Sequence, residues 1–556
     1  MTLIAFLLVC IVGMLLGLLA QPYARVSRLV SIGSLAAALA AALLMRPDDT
    51  VTVGEVQLAT TWFVGFFLTA LAASCLLLCV LGLLTGWPER LAPAGLAVLA
   101  AVGIAISSTD PTVSVAAAAA ATAPAALVAS RIRSTPLGTT VGIAEMRTLA
   151  LVIGASMLAA ATVLNTNWNA DDSTFVLALA FLVLAAAVAV RSGAVPFHVP
   201  AALLSRSGEG LGLVLSLVWI PTAFGLVALS WNATIYGVPG DWLDRAVVAV
   251  QLVAVATLVL GAVGAMLHDE IEEIAAYSIV QDTGFLLLAM TARDADAAQA
   301  GRLWLLVFVI AKSALVAWVA TASWAFETSN LGELRGWLRR APLLGLALVA
   351  IVVATLGLPG SPVYEARATL IRLGLPDWVH FLGLAAMLLS LAYYGRLLAV
   401  GVLSPSARVR DAGADWPRWP RMLGAETIPD AGAEIEPGFA EDEGEQLRRP
   451  HFSIQHRIAA AWRLNRPFQA SLLVIATAGL AIVVAFGGFG AVGAAESGIA
   501  LDQTTGQAPS PGGVDNGGTP TPEPTAEPTT GASLPIQPST AAPSPTLSQP
   551  PTPSPS

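Results

Sequence analysis

Lysine is almost missing from this chain. Of its 28 basic residues all but one are arginine, and the exception is Lys312. Charge of either sign is scarce, at 12% of residues, where a soluble protein carries about a quarter. Cysteine occurs three times, at Cys10, Cys75 and Cys79, each inside an apolar run. Cys75 and Cys79 share a helical face but have no histidine or further cysteine near them, so they read as small buried hydrophobes rather than metal or cluster ligands. No Gly-rich strand–helix nucleotide fingerprint occurs either, and no cofactor is expected in this chain. What fills the space is hydrophobic, 56% of the sequence. The class that follows is an all-α polytopic membrane protein. The bilayer is its first partner, and nothing in the charge pattern suggests nucleic acid. The net charge of −9 lies in loops.

Apolar runs of spanning length follow one another with short gaps. They lie at Thr2–Ala20, Ser27–Met45, Thr60–Thr85, Leu91–Ser107, Thr112–Ser130, Glu145–Leu164 and Thr174–Val190. Seven more follow at Leu211–Trp231, Ala246–Leu267, Ile274–Met290, Leu303–Phe326, Leu343–Leu370, Trp378–Leu403 and Phe468–Ala495, giving about fourteen helices. The first run lacks a basic n-region and a small-residue cleavage pattern, so it reads as a retained span. With fourteen spans and both termini outside, the inner loops hold 18 arginines and the outer loops 5. That is the asymmetry of a bacterial-type cytoplasmic membrane.

The domain reading is three N-terminal spans over 1–90, a core over 91–403, an inner loop over 404–467, a last span over 468–495 and an external tail. The inner loop pairs an acidic patch, Ala440–Gln446, with a basic stretch, His456–Arg466; docking surface, interfacial helix and solvated linker stay open. The tail, 496–556, is rich in Pro, Thr and Ser and reads as disordered.

Lys312 lies near the middle of Leu303–Phe326. A charge at mid-bilayer costs about 2.5–3.5 kcal/mol on insertion scales. A chain that uses arginine everywhere else has a reason to keep one amine, which can give up its proton where a guanidinium does not. The alternatives are a buried ion pair joining two helices and a titrating group on an ion path. Asp282 sits mid-span in the preceding run, so antiparallel neighbours bring the two to similar depth. They are expected to pair.

Two spans are interrupted at comparable places in two halves. The first break is RSGAVPFHVP, Arg191–Pro200, and the second TLGLPGSPVYEAR, Thr355–Arg367. Pro196, Pro359 and Pro362 remove helical hydrogen bonds there. Freed backbone groups at membrane depth survive only beside protein or a polar cavity. Paired interruptions in two repeats point to an ion path; ordinary kinks with snorkelling arginines are the alternative. Arg191 precedes the first break, and Glu365 and Arg367 follow the second. Glu145 and Arg147 read as an interfacial helix start, and Arg396 fits either a buried or an interfacial place.

The ordered set GAVPFH (Gly193–His198), GAVGAMLHDEIEEIAAYSIVQDTGFLLLAM (Gly261–Met290), LGLPGSPVYEAR (Leu356–Arg367) and LAYYGRLL (Leu391–Leu398) resembles one family. It is that of the antiporter-like membrane subunits of proton-pumping NADH–quinone oxidoreductase (complex I), nearest to the N-type subunit, also called subunit 2. Similar chains occur in multisubunit cation/proton antiporters and membrane-bound hydrogenases. The resemblance covers roughly Leu91 to Leu403. It implies two inverted five-helix repeats with discontinuous helices and a central row of Lys, Glu and His that moves protons. It also implies partner membrane subunits, with quinone met only through the complex and no redox centre in this chain.

The family's functional positions are altered here. Its lysine before the VPFH motif corresponds to Arg191, and the lysine after the second break to Arg367. Its fifth-span glutamate falls near Ala121, and its eighth-span lysine on or beside Ile220 and Pro221. A basic pair has become Glu272 and Glu273, a histidine has become Asp282, and LLSRSGEG replaces a Pro-rich loop. Lys312 corresponds to a position where some relatives carry lysine. The resemblance thus implies a proton path over Lys312, Asp282, Arg191, Arg367, Glu365 and His198, or a paralogue that keeps the scaffold without pumping.

Overall fold

The computed structural model describes residues 3–85, 91–124, 139–166, 174–203, 213–235, 238–412 and 466–505. Helices α1 (Leu3–Leu19) and α2 (Ala24–Leu43) open the chain. A hairpin follows, β1 (Asp49–Val53) pairing antiparallel with β2 (Val56–Thr60). Then come α3 (Trp62–Thr85), α4 (Leu91–Ser107), α5 (Pro111–Ala120), α6 (Thr139–Thr166) and α7 (Thr174–Ser192). Past the first break lie α8 (His198–Leu203) and a π-helical turn, Val214–Trp219, that runs into α9 (Ile220–Asn232). The second half holds α10 (Asp241–Leu267), α11 (Ile271–Thr291), α12 (Ala295–Phe326), α13 (Pro342–Leu356), α14 (Pro362–Gly374) and α15 (His380–Val402). α16 (Arg466–Ala485), α17 (Ala491–Ser497) and α18 (Ala500–Thr505) close it.

Among the described residues ten helices are long and apolar enough to cross a membrane, and four shorter apolar ones are α1, α4, α5 and α13. The chain is a multi-pass, mostly helical membrane protein. The hairpin is the exception to the all-α reading. Its TVTVGEVQ stretch alternates apolar and polar residues, and Gly54 (φ +64°) turns the corner.

The short helices have local causes. Asp110 caps α5, its carboxylate accepting from Thr112 N at 2.7 Å and Val113 N at 3.3 Å. α13 spans 15 residues, about 22 Å, before Gly357 ends it. Gly357 has φ +74°, and a Cβ there would stand 2.7 Å from Tyr364 N, so only glycine fits. Ser361 then caps α14, with Pro362 in its first turn.

The core is the trio of α9 with its π turn, α11 and α12, whose spanning windows are 100%, 94% and 94% buried, against 33% for α2. α10 presses on α11 through small residues: a Cβ at Gly261 would lie 2.6 Å from the Gln281 backbone, and one at Gly264 2.4 Å from the Tyr277 ring. The expected tail meets the structure only at its start, where Ile499, Ala500 and Leu501 are buried and α18 is helical. The acidic patch, the basic stretch up to residue 465, and residues 506–556 lie outside the described residues.

Candidate functional site

Lys312 is fully enclosed, with 0% exposure, and Asp282 is 2% exposed. α11 and α12 are consecutive, joined by a short turn, so mid-helix residues of the two meet at one depth. Lys312 Nζ stands 2.7 Å from Asp282 Oδ2. It also donates to Ser278 Oγ at 2.9 Å, Ser278 O at 3.2 Å and Tyr394 OH at 3.3 Å. Ser278 precedes Asp282 by one helical turn, so both present to the same neighbour. Tyr394 comes from α15, its hydroxyl 3.1 Å from Ser278 Oγ.

The second break supplies another cation. Arg367, on α14 and 0% exposed, places Nη2 3.5 Å from Asp282 Oδ1 and stacks its guanidinium 4.3 Å from the Phe285 ring centre. Its Nη1 donates at 2.5 Å to Thr355 O, a carbonyl of the last turn of α13 that no further helical N–H can reach. One carboxylate therefore serves two buried cations. Behind it Gln281 donates to Ala386 O (2.8 Å) and Ser390 Oγ (2.7 Å) and accepts from Tyr393 OH (3.0 Å), fastening α15 to α11. The arrangement can pass a proton between amine and carboxylate, and on to a serine–tyrosine hydroxyl pair.

The first break is built differently. Arg147, expected at an interface, is 2% exposed, because its guanidinium fills orphan carbonyls. It donates to Val190 O (3.2 Å) and Arg191 O (2.5 Å) at the end of α7, and to Ser216 O (2.8 Å) in the π turn. In the π register Ser216 O looks to the N–H of residue 221, which is proline and has none. Arg191 donates to Leu151 O and to Ala118 O near the end of α5, both at 2.8 Å, and stacks 4.8 Å from the Phe224 ring centre. Among the described residues no carboxylate pairs with either arginine. Buried Ala121 and Ile220 offer nothing that titrates.

Other expected site residues lie apart. Glu365 is exposed, on the opposite side of α14 from Arg367, and does not join the cluster. His198 is half-buried after the first break, its ring 6.1 Å from that of Tyr277, and it makes no contact with Lys312 or Asp282. Pro196 and Pro359 are exposed at the bends, and Pro362 starts α14. Arg396 reaches Met266 O (2.7 Å), His268 O (2.8 Å) and Asp269, closing the end of α10. The side chain of Glu145 lies outside the described residues. Ser278, Gln281 and Tyr394 were not singled out from the sequence. Their signal was the one-turn spacing from Asp282 and the paired tyrosines of LAYYGRLL.

Comparisons with known proteins bear on the fold that carries this site. The family model described as NADH:quinone oxidoreductase/Mrp antiporter, TM, matches residues 148–391. NAD(P)H-quinone oxidoreductase subunit 2 of Microcystis aeruginosa is 25% identical over 280 residues, 48% of this chain and 51% of that protein. The chain spans about half the length of the curated relatives it matches. A chain of the Mrp complex from Dietzia sp. superposes with TM-score 0.66 at 16% identity, over 90% of this chain and 99% of that one. A chain of respiratory complex I from Thermus thermophilus does so with TM-score 0.63 at 14% identity, over the same shares. At these identities the structural likeness shows the fold. The family match takes in residues 148–391, under half of this chain, and that stretch includes Asp282, Lys312 and Arg367.

Proposed function

We propose that the chain is a membrane-arm subunit of an NADH–quinone oxidoreductase-type complex and takes part in proton translocation coupled to quinone reduction. The carrying observation is the enclosed pair of Lys312 and Asp282, 2.7 Å apart, beside the second break. Lys312 is the switching amine, Asp282 its counter-ion, and Arg367 a fixed charge that biases the pair. Arg191 is a fixed charge at the first break with no proton to give. The partners are other membrane subunits, and quinone is met only through the complex. Both termini face outward from a bacterial-type cytoplasmic membrane, which puts the arginine-rich loops inside. The chemistry assigned to the chain is that of a translocase subunit without a redox centre.

The test is proton uptake by vesicles that carry the complex. Lys312→Met and Asp282→Asn each lower the coupled uptake by about 10²-fold or more, the usual scale of a lost proton-transfer group. Unchanged uptake in both removes the site and favours a non-pumping structural subunit. Neighbouring genes for antiporter or hydrogenase subunits, in place of quinone-oxidoreductase ones, replace the quinone partner with a cation.

A further inference from the structure

A cleft of about 480 Å³ lies between α2, α3 and α16, remote from the buried charges. That is within the roughly 300–1,000 Å³ of small-molecule sites. Its walls are apolar, with Gly65 and Ala73 of α3 facing Val484 of α16 and no charged side chain among the lining residues. A Cβ on Gly65 would have only Met45 within reach, at 4.0 Å, so α3 leaves real room there. The rim residues Leu43, Trp62 and Phe489 are exposed.

Two observations bear on what would fill it. Phe489 holds a left-handed backbone (φ +57°), two residues after Gly487 (φ +77°) and directly before Gly490 (φ +79°), and its large apolar ring is 71% exposed at the rim. A non-glycine residue keeps that conformation only where its surroundings reward it. In a bilayer, hydrocarbon is at hand to do so. The second is charge. Met45 and Pro47 line the mouth, and the residue between them is exposed Arg46, followed by exposed Asp48. A cation and an anion two residues apart in sequence match a headgroup that carries both signs. A purely anionic headgroup would be repelled by Asp48.

We propose that this cleft binds one phospholipid with a phosphoethanolamine headgroup, its acyl chain along Gly65 and Ala73, its phosphate at Arg46 and its ammonium at Asp48. Exposed ion pairs of this kind discriminate by roughly 2- to 5-fold.

The experiment is native mass spectrometry of the full chain, released from vesicles of equal phosphatidylethanolamine and phosphatidylglycerol with identical tails. One lipid is retained, with phosphatidylethanolamine favoured by roughly 2- to 5-fold. Gly65→Leu fills the cleft and loses that lipid; should it fail to fold, Ala73→Leu does the same from the next turns of the helix. Arg46→Gln with Asp48→Asn keeps a lipid and loses the preference. Retention untouched by both filling variants overturns the site, as does displacement of the phospholipid by a prenylated quinone at equal concentration. A preference unchanged in the Arg46/Asp48 variant overturns the headgroup assignment.

Discussion

Arg191 and Arg367 stand at matching breaks in the two halves, each fully buried and each stacked on a phenylalanine. Each also closes a helix end, through Ala118 O in one case and Thr355 O in the other. The difference is what lies next to them. Arg367 has Asp282 and, beyond it, the one lysine; Arg191 has Arg147 and main-chain carbonyls. The same device, a guanidinium at a broken helix, is thus used as a structural cap in the first half and as part of an ion cluster in the second. Carbonyl dipoles can hold a charge in place but cannot exchange a proton with it. Among the described residues an amine–carboxylate pair stands beside the second break and none beside the first.

The largest effect that can break this contrast is removal of the shared carboxylate. Asp282→Ala leaves Lys312 and Arg367 buried without an acid and destabilises by about 3–5 kcal/mol in thermal denaturation of the reconstituted protein. Lys312→Ala together with Asp282→Ala costs less than the sum of the two by about 1–3 kcal/mol. Simple additivity means that the pair does no work.

Next comes the first half. Arg147→Met orphans three carbonyls and costs about 2–4 kcal/mol, with proton uptake per folded molecule unchanged. A loss of uptake equal to that of Lys312→Met would instead put the first half on the path. Smaller again is Tyr394→Phe, which takes one hydrogen bond from the amine at about 1 kcal/mol and slows uptake several-fold. Smallest is Glu365→Gln on the exposed side of α14, which stays within about 0.5 kcal/mol and leaves uptake alone.

Much of this was legible in the residues. Long apolar runs gave the helices, and a lysine and an aspartate at mid-run in consecutive spans led to the pair. The two proline–glycine interruptions marked where helices stop. What stayed hidden depends on phase and on backbone detail. Glu365 and Arg367 both follow the second break, yet residues two apart on a helix differ by about 200°, so one faces inward and the other outward. Arg147 near a span end looked interfacial, and its place is set by carbonyls that became orphans through the π turn and Pro221, an irregularity no hydropathy pattern records. The hairpin at 49–60 has the alternation of strands, but its length is that of a loop between spans.

The closing segment bears on how the chain is made. Thr61 Oγ1 donates to Gly498 O at 2.6 Å, Phe63 N to Ser497 Oγ at 2.9 Å, and Arg302 Nε to Ala495 O at 2.8 Å. Helices threaded early through the insertion machinery are therefore clasped by residues that leave the ribosome hundreds of positions later. Until that clasp arrives these three hydrogen bonds are unmade, so the last fastening of the bundle waits for the end of synthesis.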